Sequence, residues 1–148
     1  MIDPQGLLSV HAGATLFMVG VIWTVQVVHY PLMADVGESE FPAYERRHMR
    51  LITLIVGPAM AVELGSALLL VAAKPGGVPE WSLWAGLGLV VALWLSTGLI
   101  QGPAHVRLAR WRDPRLLRRL VNTNWARTAM WTARGVLSLC MLRWGSAA

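Results

Sequence analysis

Long apolar runs alternate with short polar connectors along this chain, and the runs set the architecture. Four stretches, residues 7–30, 46–73, 81–108 and 116–142, each offer enough mostly apolar sequence to cross a bilayer core as helix. The connectors mark the breaks between them. "YPLMADVGESEFPAY" carries two prolines and acidic turn residues, "KPGGVP" at 74–79 is a Pro/Gly turn, and "WRDP" sets a proline at a helix start. The pattern predicts an all-α, up-down four-helix bundle, one domain over residues 1–148, embedded in a membrane.

Inside the runs the polar residues fall on stripes. His11, Thr15, Gln26 and His29 lie near one face of the first helix, and Tyr44, His48 and Glu63 share a phase on the second. Thr97, Gln101 and His105 do so on the third, and Asn124, Arg127, Trp131 and Arg134 repeat at helical spacing on the fourth. Lipid tolerates such groups poorly, so all four stripes are expected to turn inward. At about 1.5 Å per residue, His29, His48, His105 and Asn124 come to one end of the bundle, with Gln26, Gln101 and Arg127 a turn or two deeper. Glu63 and Arg134 fall near mid-membrane and are expected to pair or to share a hydrated network, while His11 lies towards the opposite face.

A separation of 19 residues recurs from His29 to His48 and from His105 to Asn124, with Gln26 and Pro31 near the first histidine and Gln101 and Pro103 near the third. Two hairpins that run the same way would thus present similar groups at one depth. "GLIQG", Gly98 to Gly102, is a small-xxx-small motif that predicts a close helix approach beside Gln101.

Composition agrees with the membrane reading: 55% of residues are hydrophobic and 14% charged. The single cysteine, Cys140, excludes an intramolecular disulfide framework or a multi-cysteine metal cage. "MIDPQG" has no basic residue and the run after it is too long for a signal-peptide core, so the first helix is expected to remain in the mature protein.

Arginine sets the predicted orientation. Arg46, Arg47 and Arg50, then Arg107, Arg110, Arg112, Arg115, Arg118 and Arg119, flank the first and third connectors, whereas the other side has Lys74 and Arg143. The positive-inside rule puts those connectors in the cytoplasm and both termini outside, in the inner (cytoplasmic) membrane. Arginines that flank spans answer to topology and anionic headgroups, so the net charge of +5 gives no support to nucleic-acid binding. Trp81, Trp84 and Trp144 near one interface and Trp111 and Trp125 near the other fit an aromatic belt; Trp23, Trp94 and Trp131 lie deeper and call for packing partners.

Imidazoles from three helices, His29, His48 and His105, are the candidate metal and cofactor ligands, for iron, copper or zinc, or as axial ligands to haem. The alternative role for each is a cap on nearby carbonyls at a helix end. Gln101, Asn124 and Arg127 are the candidate catalytic groups, with Arg127 placed to receive an anionic part of a substrate. Tyr44 serves equally as an interfacial anchor or a proton donor. Carboxylates in the layer are few, which disfavours a four-carboxylate di-iron site.

"QGPAHVRLARW" followed by "NTNWARTAMWTARG" resembles the closing pattern of the anthrone-oxygenase-like family of small four-helix bacterial membrane proteins. In that pattern an Asn-x-Pro-Leu-Asn segment ends helix three and an Asn-x-x-Arg-Thr segment opens helix four. Asn124, Arg127 and Thr128 match the second, and Pro103 with Leu108 the first; Gln101 and His105 stand where the pattern has asparagines, and "VVHYPLM" and "ERRHMR" lie outside it. The resemblance covers roughly a third of the chain. It implies oxygen-dependent oxidation of a flat aromatic, polyketide-like molecule at the membrane.

Three functions fit these residues. One is a membrane oxidoreductase or oxygenase acting on a small lipophilic substrate at the histidine and amide layer, with metal or haem assistance. Another is a non-catalytic binder of a lipophile, quinone or haem. The last is a structural subunit of a homo-oligomer or a larger membrane complex. No phosphate loop, nucleophile elbow or HExxH motif is present, so ATP-driven transport, serine hydrolysis and zinc proteolysis have no support.

Overall fold

The structure, a computed structural model, describes residues 3–147, and among these every regular element is helical. Four rods follow one another: α1, Pro4–Ala34; α2, Phe41–Ala73; α3, Glu80–Leu108; and α4, Pro114–Ser146. Their starts are chemically specified. The Asp3 carboxylate accepts from the backbone N–H groups of Gln5 and Gly6, and Asp113 accepts from those of Arg115 and Leu116, each just ahead of a proline that needs no hydrogen bond in the first turn. α2 stops where Lys74 turns to a φ of 44°.

The first connector is shorter than its prolines predict. Residues 31–34 and 41–45 are helical, so α1 runs past residue 30 and α2 begins before residue 46. Pro42 falls in the first turn of α2, where a missing N–H costs nothing. Pro31 is accommodated differently. The five residues before Tyr30, Val25–His29, widen into a π-helical turn, and the Tyr30 N–H donates to the Val25 carbonyl. The same device precedes Pro103 in α3, where Thr97–Gln101 is π-helical and the Gly102 N–H donates to the Thr97 carbonyl.

α1 packs against α2 and α4, and α3 against the same two, so the rods close a ring in chain order. Along its axis apolar and polar layers alternate. Met33, Phe41, Leu108 and Leu120 fill one end, Met18, Met60, Leu93 and Trp131 the middle, and Leu8, Leu70, Leu83 and Met141 the other end. Polar side chains occupy the two levels between. Close approach of the rods rests on Gly86, where a Cβ would stand 3.2 Å from Met141 Cε, and Gly135, where it would stand 3.0 Å from Val19 Cγ2. The motif at Gly98 and Gly102 does no such work: a Cβ at Gly98 would meet nothing, and one at Gly102 would meet the Thr97 carbonyl of its own π turn at 3.0 Å.

The distribution of polarity is the reverse of a water-soluble bundle. Glu45, Glu63, Asn124, Arg127 and Arg134 are buried, while Leu54 and Leu99 are 72% and 73% exposed. α1, α2 and α3 are long and apolar enough to cross a membrane; α4, with six arginines, falls short of that composition. Trp131 is buried as a deep tryptophan should be, but Trp23 and Trp94 stand on the outer surface, and the Trp23 indole donates to Thr132 Oγ1 at 3.1 Å.

Candidate functional site

Two polar levels result, and they differ in chemistry. The inner one, towards the connector 74–79, is built on a single ion pair. Arg134 Nη2 lies 3.3 Å from Glu63 Oε1 and 3.4 Å from Thr15 Oγ1, and its Nη1 donates to the Gly86 carbonyl at 2.5 Å. The guanidinium also sits 5.7 Å from the Trp131 ring centroid. His11 Nδ1 is 2.8 Å from Ser66 Oγ, which reaches the Glu63 carbonyl. These bonds tie all four rods together. Removing one partner of such a buried pair typically costs about 3–5 kcal/mol, because the other charge is left without compensation.

The level near the arginine-rich connectors is richer. His29, Tyr44, His48 and His105 converge there from α1, α2 and α3. The His29 and His48 rings stack at 4.1 Å between centroids and 21° between planes; the Tyr44 ring is 6.1 Å from that of His29, with planes 14° apart. His105 lies 5.5 Å from His48, centroid to centroid. Its Nδ1 is 2.5 Å from Oε1 of Glu45, a carboxylate with no exposed surface. Tyr44 Oη stands 3.5 Å from His29 Nδ1, and His29 Nε2 is buried with no hydrogen-bond partner.

The amides and Arg127 make a neighbouring chain. Arg127 Nη1 donates to Asn124 Oδ1 at 2.9 Å, Asn124 Nδ2 donates to Gln26 Oε1 at 2.7 Å, and Gln26 Nε2 donates to the Val121 carbonyl at 3.4 Å. Gln101 is separate from this chain: its Oε1 accepts from Ser96 Oγ, and its Nε2 is buried without a partner. Tyr30, buried between the two groups, stacks towards His105 at 6.5 Å. The sites predicted from sequence therefore divide into an imidazole–carboxylate group, an amide–guanidinium chain, and Gln101.

Glu45 and Tyr30 are the residues that the pattern of stripes missed. Glu45 stands three residues before His48, one helical turn away on the same face, which is a readable signal. It was masked by Arg46 and Arg47, which make the segment look like headgroup-facing charge. One of those arginines has a fixed partner: Arg46 Nη1 donates to the Ala109 carbonyl at 3.0 Å, closing the end of α3. Arg112, in the arginine run around the third connector, likewise donates to the Ala34 carbonyl at 2.7 Å and sits 5.9 Å from the Phe41 ring centroid.

Among the described residues no group of three or more histidine, cysteine or carboxylate side chains is arranged to hold a metal ion. The reason is geometric. Ring-nitrogen lone pairs lie in the ring plane, and the planes of stacked His29 and His48 are only 21° apart, so their nitrogens do not converge on a point between the rings. A carboxylate on an imidazole is a pair that can exchange a proton across its hydrogen bond; Tyr44 and His29 make a separate contact, and among the described residues no hydrogen bond joins the two pairs.

A furrow leads to this group from the side. It lies between α1 and α2, has a volume of about 570 Å³, and ends at His29 and His48. Compared with family models, curated proteins and solved structures, the chain matches none.

Proposed function

We propose that this protein is an integral membrane oxidoreductase or oxygenase that acts on a small lipophilic substrate at the His29, His48, His105 and Glu45 level. In this reading α4 crosses the membrane with the other three rods, its arginines either facing the interior or lying near its ends. The termini are outside and the arginine-rich connectors in the cytoplasm. The burial of charge and exposure of leucine support insertion. The observation that carries the chemistry is the fully buried Glu45 carboxylate on His105, beside stacked imidazoles at the end of an apolar furrow. Such a pair has no packing value that an apolar pair would not exceed, and it is suited to moving protons to or from a reacting group.

The substrate class follows from the setting and from the resemblance to the anthrone-oxygenase-like family: a flat phenolic or anthrone-like molecule, oxidised by dioxygen. For a hydroquinone, two electrons and two protons leave the ring and dioxygen takes up both to give hydrogen peroxide. His105 and Glu45 carry the protons, Tyr44 and His29 orient the ring, and Arg127, held by Asn124, is the buried cation of the neighbouring amide chain.

A metal- or haem-assisted version is the second reading. It is favoured by the unpartnered His29 Nε2 and requires the stacked rings to rotate until their nitrogens converge. One preparation in mild detergent tests both. Oxygen uptake with lipophilic hydroquinones and anthrones that is lost in Glu45→Gln supports the first reading, and uptake that is absent or indifferent to Glu45 overturns it. A metal inventory and ultraviolet-visible spectrum decide the second: stoichiometric iron, copper or haem must disappear when His29 and His105 are both replaced by alanine.

A further inference from the structure

The lateral furrow has a composition more specific than a lipid-facing crevice needs. Leu16, Phe17 and Val21 of α1 and Leu51, Ile52 and Ile55 of α2 form its walls, and Gly20 leaves its floor open. From Leu16 to His29 the furrow follows α1 for thirteen residues, a length of about 20 Å at the helical rise. Its polar groups are confined to one end: Thr24, then His29 and His48. No lysine, arginine or carboxylate lines it. An elongated apolar channel with a hydrogen-bonding, uncharged terminus calls for a ligand of the same polarity.

We propose that the furrow seats a quinone-class lipid, with its ring at His29 and His48 and its tail between Leu16 and Ile55. This rests on the imidazole level being the site, and it names the molecule that site takes. Three features select the ring. Fatty acids and phospholipids bring an anionic head, for which the furrow offers no lysine or arginine. A planar carbonyl-bearing ring matches the near-parallel ring planes there, those of His29 and His48 being 21° apart and those of His29 and Tyr44 14° apart. A ring carbonyl also supplies the acceptor that His29 Nε2 lacks, Nδ1 being directed to Tyr44. The furrow is open along its flank, where Phe17, Leu51 and Ile55 are exposed, so a tail longer than the furrow continues into surrounding lipid.

The test uses decylubiquinone added to the purified full-length protein in mild detergent, read by quenching of tryptophan fluorescence. The signal is that of the eight tryptophans together; Trp23, next to Thr24 in sequence, contacts Thr132 and Trp125 of α4. Gly20→Phe fills the floor without touching an imidazole, since a Cβ at Gly20 meets nothing within 4 Å; Gly88→Phe on α3, equally open, is the control. The expected result is saturable quenching in the parent and in Gly88→Phe, at least tenfold weaker in Gly20→Phe and in His29→Ala, with unchanged thermal midpoints in the glycine variants. Non-saturable quenching in the parent, equal affinity in Gly20→Phe, or displacement by palmitate as readily as by quinone overturns the proposal. Oxygen uptake with an anthrone, which has no tail, separates the two claims: if it persists and depends on Glu45 while quinone fails to bind, the occupant is wrong and the site stands.

Discussion

Glu45 has one carboxylate oxygen on His105 and the other, Oε2, buried without a partner. A group held at that cost is expected to act in chemistry rather than in packing. Glu45→Gln keeps the shape and a hydrogen bond to the imidazole but removes the exchangeable proton. Oxygen uptake with a lipophilic hydroquinone is expected to fall by roughly 10²-fold, the lower bound of a general acid–base contribution, while the thermal midpoint in detergent moves little. A fall in stability with activity per folded molecule unchanged would make Glu45 a structural residue. The three imidazoles were legible in the sequence because each sits on an inward stripe at one depth. Glu45 lies on such a stripe too, but between Phe41 and two arginines it reads as the edge of a charged connector. Burial, which gives the carboxylate its meaning, is set by α3 supplying His105, and no local pattern reports that.

Each π turn ends one residue short of a proline, on a residue at the candidate site, His29 in α1 and Gln101 in α3. Proline removes a donor and crowds the carbonyl four residues back, and widening the turn before it relieves both. The extra residue also shifts the phase of everything beyond it by about 100° on a helix of 3.6 residues per turn. In α1 this is what brings Gln26, His29, Tyr30 and Met33 inward together, with Gln26, Tyr30 and Met33 buried. Pro31→Ala restores the missing N–H and is expected to let α1 return towards regular helix. Far-UV circular dichroism should then be unchanged while quinone affinity and oxygen uptake drop at least tenfold; a variant with parental affinity would show that the π turn is not needed to set His29. The four rods could be read from apolar runs because hydropathy is summed over many residues. Their ends could not, since Pro31 and Pro42 are breakers by type and are made harmless by a π turn and by a first-turn position.

The whole molecule is an alternation of apolar and polar levels inside a leucine-rich exterior, and this order bears on how many times the chain crosses the bilayer. α4 carries Arg115, Arg118, Arg119, Arg127, Arg134 and Arg143, too many for its composition to announce a span. Composition counts charges without regard to where they point. Arg127 and Arg134 are buried, held by Asn124 and by Glu63, and the other four lie in the first two turns or the last, within reach of an interface. A helix whose charges are satisfied inside or placed at its ends has a remaining surface compatible with lipid, and on that of α4 Val136 and Leu139 are exposed. Four crossings place the termini on the same side, and three place them on opposite sides. Reporter fusions active on only one side of the inner membrane, attached in turn to each terminus, are expected to place both outside, and fusions in the connectors after α1 and α3 to lie in the cytoplasm. Termini on opposite sides would mean that α4 does not cross. The interior polar levels would then have to form against water rather than lipid, and a lipophile could no longer be assumed to reach them from the membrane.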